Sequence, residues 1–377
     1  MQFRDLQKQY SVLKDQIDAQ IADVVSSAHF ISGPQVKELE SVLAEYVGAK
    51  HCISCANGTD AITLALMAWG IGEGDAVFVP DFTFFSSGEC PAYEGATPIF
   101  VDVNHVSYNI DPAKLEEAIA KVKAEGKYTP KAVVAVDLFG QPADFDKIVP
   151  ICKSNGLLLL EDGAQGFGGS IKGKMACSFG DIATTSFFPA KPLGCYGDGG
   201  AIFTDNDEWA AYLRSICVHG KSGNDKYNNI RLGMNSRLDT IQAAILIPKF
   251  KAFVEYELDD VNKAASWYSD KLKDSGLKLP VIADGFISSW AQYTVQLPSE
   301  IDRAKVQDFM KSKGIPTMVY YAKPMHLQGA FEGTDSAVAD CPVAEVLCKT
   351  VLSLPMHPYL TEDMVDEIVN ALLIAIK

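Results

Sequence analysis

Between residues 50 and 205 the chain alternates short apolar runs with longer stretches in which apolar residues return every three or four positions. The runs are "HCISCA", "AVFVP", "TPIFVDV", "KAVVAVDLFG", "GLLLLED", "ATTSFFP" and "GGAIFTD". They have the length of strands and are rich in β-branched and aromatic residues. Between them, segments such as "DAITLALMAWG" set Ile62, Leu66 and Trp69 on one helical face, with Gly70 as the stop. "LLLL" and "AVVAV" are apolar on both faces, which predicts a mostly parallel sheet covered by helices on each side, an α/β architecture. Ligands of such sheets bind at the carboxyl ends of the strands.

After "NSRLDTIQAAILIPKF" the pattern changes to a long helical stretch reaching about residue 275. There follow "AQYTVQLP", a helix near 303–313, "IPTMVYYA", and a last helix begun at Thr361 with Glu362 and Asp363 in its first turn. The change of pattern predicts a large domain over residues 1–250 and a smaller α+β domain over 251–377. Two domains is also the expectation for 377 residues.

Composition narrows the field. With 48% apolar and 21% charged residues the balance is that of a soluble globular protein. No apolar run reaches membrane-spanning length, and "MQFRDLQKQY" lacks a basic-then-apolar signal pattern, so a cytoplasmic protein is expected. The nine cysteines are odd in number and scattered through apolar stretches, as reduced buried thiols are. Cys52 and Cys55 read as two small core residues on a strand rather than half of a zinc site, since no second pair or nearby histidine cluster completes one. His51, His105 and His357 are expected to pack or cap, and no metal spacing occurs. A net charge of −15 argues against nucleic acid or a membrane surface as partner. A phosphorylated ligand would then be held by helix N-termini, backbone amides and a few placed cations.

Three places could carry chemistry. In "CANGTDAITLAL", Asn57, Gly58 and Thr59 lie between a strand and an amphipathic helix, either as an anion seat or as an ordinary N-cap with a glycine turn. In "LLLLEDGAQGFGG" a buried strand ends on Glu161 and Asp162. A carboxylate there needs a partner, either a cationic ligand group or a structural salt bridge. In "SFFPAKPLGCYGDGG", Lys191 stands between turns, with the hydroxyl of Ser186 upstream and a glycine cluster downstream. Alone it reads as a surface lysine; a nucleophilic lysine needs burial or a cationic neighbour to lower its pKa. Together the three supply a phosphate seat, a partner for a ring nitrogen and an amine for an aldehyde, the parts that hold pyridoxal 5'-phosphate (PLP).

With these segments, and with "FISGPQV", "GIGEGDAVFVPDFTFFSS", "GATPIFVDV", "LFGQPADFD", "NSRLDTIQAAIL" and "LSLPMHPYL", the chain resembles the DegT/DnrJ/EryC1/StrS family of PLP-dependent nucleotide-sugar aminotransferases from about residue 30 to 360. The resemblance implies the fold type I (aspartate aminotransferase-like) architecture. It makes Lys191 the lysine that bonds the cofactor aldehyde and later shuttles a proton. It sets Asp162 at the ring nitrogen, Gln165 by the ring oxygen and Phe84 of "DFTFFSS" on the ring face. The phosphate would take Gly58, Thr59 and Ser186, with Asn235 of "NSRLD" coming from the neighbouring subunit, which implies a homodimer with shared sites.

One branch of the family carries histidine at the lysine position and is a dehydratase, so Lys191 implies transamination. The wording is especially similar to enzymes that aminate C3 of UDP-linked 3-keto-hexuronic acids with L-glutamate. Where many relatives carry His-Tyr, this chain has Tyr320-Tyr321, a pair expected to face the sugar. Arg237 and His219 are candidates for the substrate's acidic groups, against structural ion pairs or caps. Two other readings stay open: amination at C4 or another PLP reaction on the same fold, and a PLP-binding regulator without turnover. The regulator lacks a basic recognition helix.

Overall fold

The computed structural model describes residues 1–223, 225 and 227–377. Two helices, α1 (Leu6–Ser27) and α2 (Pro34–Val47), lead into β1 (His51–Cys55) and α3 (Gly58–Ala68). The chain then runs through β2 (Asp75–Pro80), α4 (Ser86–Tyr93), β3 (Thr97–Val101), α5 (Pro112–Glu125), β4 (Thr129–Val136), α6 (Phe145–Asn155) and β5 (Leu158–Asp162). The short pair β6 (Ser170–Ile171) and β7 (Lys174–Met175) precedes β8 (Ile182–Ser186), β9 (Gly200–Thr204) and α7 (Asp207–Ile216).

The seven apolar runs become one sheet of order β1-β9-β8-β5-β4-β2-β3. All neighbours are parallel except around β9, which is antiparallel to both β1 and β8. The two faces are built from alternate residues of the same strands. Val77, Val79, Val134, Leu160, Ile182 and Ile202 face α3, α4 and α7. Phe78, Val133, Ala135 and Leu159 face α5 and α6, and Ala183, Ala201 and Phe203 face α2 and α8 (Thr240–Ala252). Burial on both sides is the reason these strands read as continuous apolar runs.

One π-helical turn, Phe253–Glu257, joins α8 to α9 (Leu258–Leu272), so a single helical run passes the residue-250 position. Beyond it lie β10 (Phe286–Ile287), β11 (Tyr293–Gln296), α10 (Arg303–Ser312), α11 (Pro342–Thr350), β12 (Val351–Leu354) and α12 (Glu362–Ala375). Thr361 caps α12 by accepting from the Met364 amide. A second core forms where α9, α10 and α12 pack on the β11–β12 pair, around Tyr268, Tyr293, Met310 and Ile368. Met325, Phe331, Cys341 and Leu347 instead join the core of the large sheet. The segment from about residue 320 therefore leaves the second core and returns across the edge where β2, β4, β5 and β8 end.

Candidate active site

The carboxyl ends of β1, β5 and β8 open onto the start of α3. Asn57 caps that helix by accepting from the Asp60 amide, and Gly58 is its first residue. A β-carbon at Gly58 would stand 2.6 Å from Cβ of Ser186, so glycine is what allows the helix to begin against the end of β8. The Thr59 and Ser86 hydroxyls lie 2.9 Å apart. Free helical amides, the macrodipole and hydroxyls at 59, 86 and 186 thus converge on one small space, an anion seat. Asn57 is thus an N-cap, and the cap shapes the space in front of the helix N-terminus.

Strand alternation separates the two acids that end β5. Glu161 turns to the far side, fully buried, and accepts from the amides of Cys177 (2.5 Å), Phe179 (2.6 Å) and Gly180 (3.2 Å). Asp162 turns to the site, also buried, and accepts from Ser87 Oγ at 3.0 Å and the Ala164 amide at 3.2 Å. Burial raises the Asp162 pKa; the positive charge of Lys191, followed by those two hydrogen bonds, works against that rise.

Lys191 sits in a loop closed by its own amide to the Phe188 carbonyl (2.8 Å) and by the Cys195 amide to the Phe187 carbonyl (2.8 Å). The loop is tight at Gly194, where a β-carbon would fall 2.5 Å from the Pro189 carbonyl oxygen. Lys191 is half-buried. Burial lowers its pKa from 10.5, the Asp162 carboxylate pushes it back up, and Arg4 adds a smaller downward push. It is the constrained amine, not the solvated lysine that its type alone suggests.

Gln165 closes the site on another side. Its Oε1 accepts from the Phe139 amide (2.8 Å) and its Nε2 donates to the Tyr321 hydroxyl (3.0 Å). Tyr321 packs tilted on Phe84, ring centres 6.2 Å apart, while Phe84 keeps about half its surface exposed (52%). Tyr320, joined to Tyr321 by a cis peptide bond, meets the ring of Phe3 instead. One cluster thus gathers Gly58, Thr59, Phe84, Asp162, Gln165, Ser186, Lys191 and Tyr321.

His219, Asn235 and Arg237 form a second group; His219 and Arg237 line a groove with Lys221, Asn229 and Arg231. They lie on an arm in which Val218 pairs with Asn235 and the His219 amide donates to the Met234 carbonyl. Arg237 Nη2 donates to Asn235 Oδ1 at 2.6 Å. Ser236, between them, ties the arm down by accepting from the Ala56 amide, 3.1 Å, next to the anion seat. The tie holds the arm's base near the seat while the Asn235 side chain stays exposed.

A buried trio was not legible in the sequence. His326 Nδ1 lies 2.7 Å from Asp81 Oδ2, and the His326 amide donates to Asp81 Oδ1 at 2.8 Å. The Cys341 thiol completes a group whose donor atoms fall within 4.8 Å of one another. The histidine's bonds already engage both Asp81 oxygens, so the pair acts as a clamp between the end of β2 and the segment carrying Tyr320 and Tyr321. "PDF" and "PMH" are 245 positions apart, and nothing local links them. Of the histidines expected to pack or cap, His51 pairs with Asp207 at 2.6 Å and His357 is buried. His105 is a correction: its side chain stands exposed, and only its carbonyl is engaged, by Lys278.

A loop lysine facing a buried aspartate beside a helix N-terminus, on a mostly parallel sheet, is an arrangement that suits a PLP-dependent aminotransferase. A model of the DegT/DnrJ/EryC1/StrS aminotransferase family matches residues 11–373, and the chain belongs to that family. It is 46% identical over 374 residues, 99% of each chain, to the UDP-2-acetamido-2-deoxy-3-oxo-D-glucuronate aminotransferase of Pseudomonas aeruginosa. It is 42% identical, over 97% of this chain and 96% of the other, to a "pleiotropic regulatory protein" of Geobacillus stearothermophilus. Among solved structures, a family aminotransferase from Brucella abortus superposes with a TM-score of 0.95 at 46% identity, covering 99% and 98% of the two chains.

The cofactor is PLP, carried in its amino form, PMP, by a solved relative. The residues present fit it. The Gly58–Ser186 approach leaves room for a phosphate at a helix N-terminus, Asp162 offers a buried anion, and Lys191 offers an amine with a lowered pKa. Among the described residues no helix is long and apolar enough to cross a membrane.

Proposed function

We propose that this aminotransferase moves the amino group of L-glutamate to C3 of a UDP-linked 2-acetamido-3-keto-hexuronic acid. Sugar-nucleotide transamination is the family's chemistry. The particular sugar and carbon rest on likeness, 46% over essentially the whole chain, to an enzyme named for that substrate class. The observation that carries the reaction type is the convergence of Lys191, Asp162 and the seat at Gly58, Thr59 and Ser186.

Bound PLP supplies an aldehyde that takes up the amino group and a ring that accepts an electron pair. The chain's part is positioning and proton transfer. Burial lowers the Lys191 pKa against the opposing pull of Asp162, and its Nζ, once unprotonated, would attack a carbonyl carbon and then remove and return a proton at the donor's Cα. Asp162 would pair with the ring nitrogen, and its bonds from Ser87 and Ala164 hold its carboxylate in place. Gln165, fixed by Phe139 and Tyr321, would lie on the ring oxygen side, and Phe84 would offer a flat face. The helix N-terminus, Thr59 and Ser186 would hold the phosphate and so orient the group toward Lys191.

The working unit is a homodimer in the cytoplasm. Its support is the outward-facing Asn235 and the exposed apolar side chains Ile230 (54%) and Leu232 (89%) on the same arm. In the dimer Asn235 reaches the neighbour's phosphate seat, and His219 and Arg237 face acidic groups of its sugar nucleotide.

The test is spectroscopic. Purified holoenzyme given L-glutamate should lose the PLP absorbance and gain that of PMP, and the UDP-linked 3-keto-hexuronate should reverse the change. Product NMR should then place the new amine on C3. No change with glutamate would end the transaminase reading, and an amine on C4 would end the choice of sugar. Mixing inactive Lys191→Ala and Asn235→Ala subunits should restore activity through one intact site per mixed dimer; failure to do so would count against shared sites.

A further inference from the structure

Arg4 precedes the first helix and belongs to none of the motifs above, yet three segments of the site hold it in place. Its Nη2 donates to the carbonyl of Pro192, the residue after Lys191, at 3.0 Å. Immediately before it, the Phe3 ring meets Tyr320 with centres 6.2 Å apart, and the Phe3 carbonyl accepts from the Met356 amide at 3.0 Å. Arg4 is therefore fixed between the lysine loop, the tyrosine pair and the turn at residues 356–357.

A guanidinium carries five N–H donors. The bond to Pro192 uses one, and Arg4 makes no ion pair with a carboxylate among the described residues. Glu257 attracts it, but that carboxylate is taken by Gln9 Nε2, at 2.8 and 3.1 Å, and by the Tyr359 hydroxyl at 2.6 Å. Beside Arg4, His357 is 1% exposed with both ring nitrogens unpartnered. Buried polar atoms are almost always satisfied in native proteins, by water or a ligand if not by the chain. Burial first, then the charge of Arg4, pushes His357 down to about 4, so it is neutral at pH 7 and free to donate one hydrogen bond. Lys191 and the buried Lys249 feel the same positive charge. The corner is rich in cations and in open donors.

We propose that Arg4, with His357 beside it, is the receptor for a carboxylate of the reacting substrate. This rests on the transaminase reading above. Two carboxylates of that reaction share the chemistry: the one on the amino donor and the C6 carboxylate of a hexuronate. A forked guanidinium suits either, because it can bond both oxygens at once. Its tie to the carbonyl next to Lys191 would set the distance between the bound carboxylate and the reacting amine. Arg4 in this role is a specificity-determining residue, next to the Tyr320 ring.

The experiment compares wild type, Arg4→Gln and Arg4→Lys holoenzymes on two arms. One measures the glutamate concentration dependence of the PLP-to-PMP half-reaction. The other measures, by calorimetry, binding of the unreactive probes UDP-glucuronate and UDP-glucose, which differ in the C6 carboxylate. If Arg4 receives the donor, Arg4→Gln weakens glutamate about ten- to a hundredfold and leaves the preference between probes intact. If it receives the sugar, Arg4→Gln abolishes the preference for UDP-glucuronate and leaves glutamate unchanged. Arg4→Lys should recover part of either effect, since it keeps the charge and loses the fork. Changes under about twofold on both arms would overturn the proposal, and so would a drop in melting temperature as the sole effect, because a structural arginine would give just that. Wild type that neither reacts with glutamate nor binds either probe would sink the transaminase reading itself, a result distinct from a responsive wild type with an unaffected variant.

Discussion

The cluster around Lys191 and the arm carrying His219, Asn235 and Arg237 differ in what holds their side chains still. Gly58, Ser186, Asp162 and Lys191 sit at or just beyond the ends of strands buried on both faces, packed against one another or held by hydrogen bonds to buried neighbours. His219, Asn235 and Arg237 lie on an arm tied to the body through Ser236, where the Arg237 side chain bonds that of Asn235. The difference follows from the chemistry each part serves. Proton transfer at a defined atom tolerates little misplacement, so it is built on rigid elements. On the reading proposed above, recognition of the sugar nucleotide is left to loops, which can change without disturbing the sheet.

Substitutions should separate the two regions by what they change. Lys191→Ala should lower turnover by at least about a thousandfold, since it removes both nucleophile and proton carrier; residual turnover within tenfold of wild type would break the assignment. Asp162→Asn should cost about a hundredfold in kcat, the worth of a charge-assisted hydrogen bond, with an altered cofactor spectrum as the second readout. Gly58→Ala should weaken PLP retention about thirtyfold, because its β-carbon would meet Ser186 at 2.6 Å and the seat must shift; dialysis against phosphate measures this.

On the arm, Arg237→Ala should raise KM for the sugar nucleotide about tenfold and leave the cofactor spectrum alone. A changed spectrum there would blur the distinction drawn above. Smallest of all, Tyr321→Phe removes the hydroxyl that accepts from Gln165 at 3.0 Å. It should reduce kcat/KM about fivefold, and only if Tyr321 stays in place against Phe84, which a crystal structure of the variant would check.

Much of the seat was readable because its parts are local. "NGT" before an amphipathic helix, "ED" ending an apolar run and a lysine between turns each have a short-range physical signature, and all seven strands of the large sheet showed as apolar runs. The reversal of β9 was hidden, since an antiparallel strand buried on both faces reads like its parallel neighbours. The Asp81–His326 clamp and the capture of Arg4 by Pro192 were hidden for another reason: their partners are 245 and 188 positions apart, and only folding sets such pairs side by side.

By itself, then, the sequence determined the α/β class and the seven strands of the large sheet, and it offered candidates for PLP chemistry, because strand burial and helix capping are decided over a few neighbouring residues. The tertiary structure alone decided which acid of Glu161 and Asp162 faces the lysine, since pleat alternation has meaning only once a sheet has sides. It alone brought Tyr321 to Gln165 and Arg4 to the lysine loop. Those contacts depend on the path the chain takes between the two cores, which long-range packing fixes and no local pattern records.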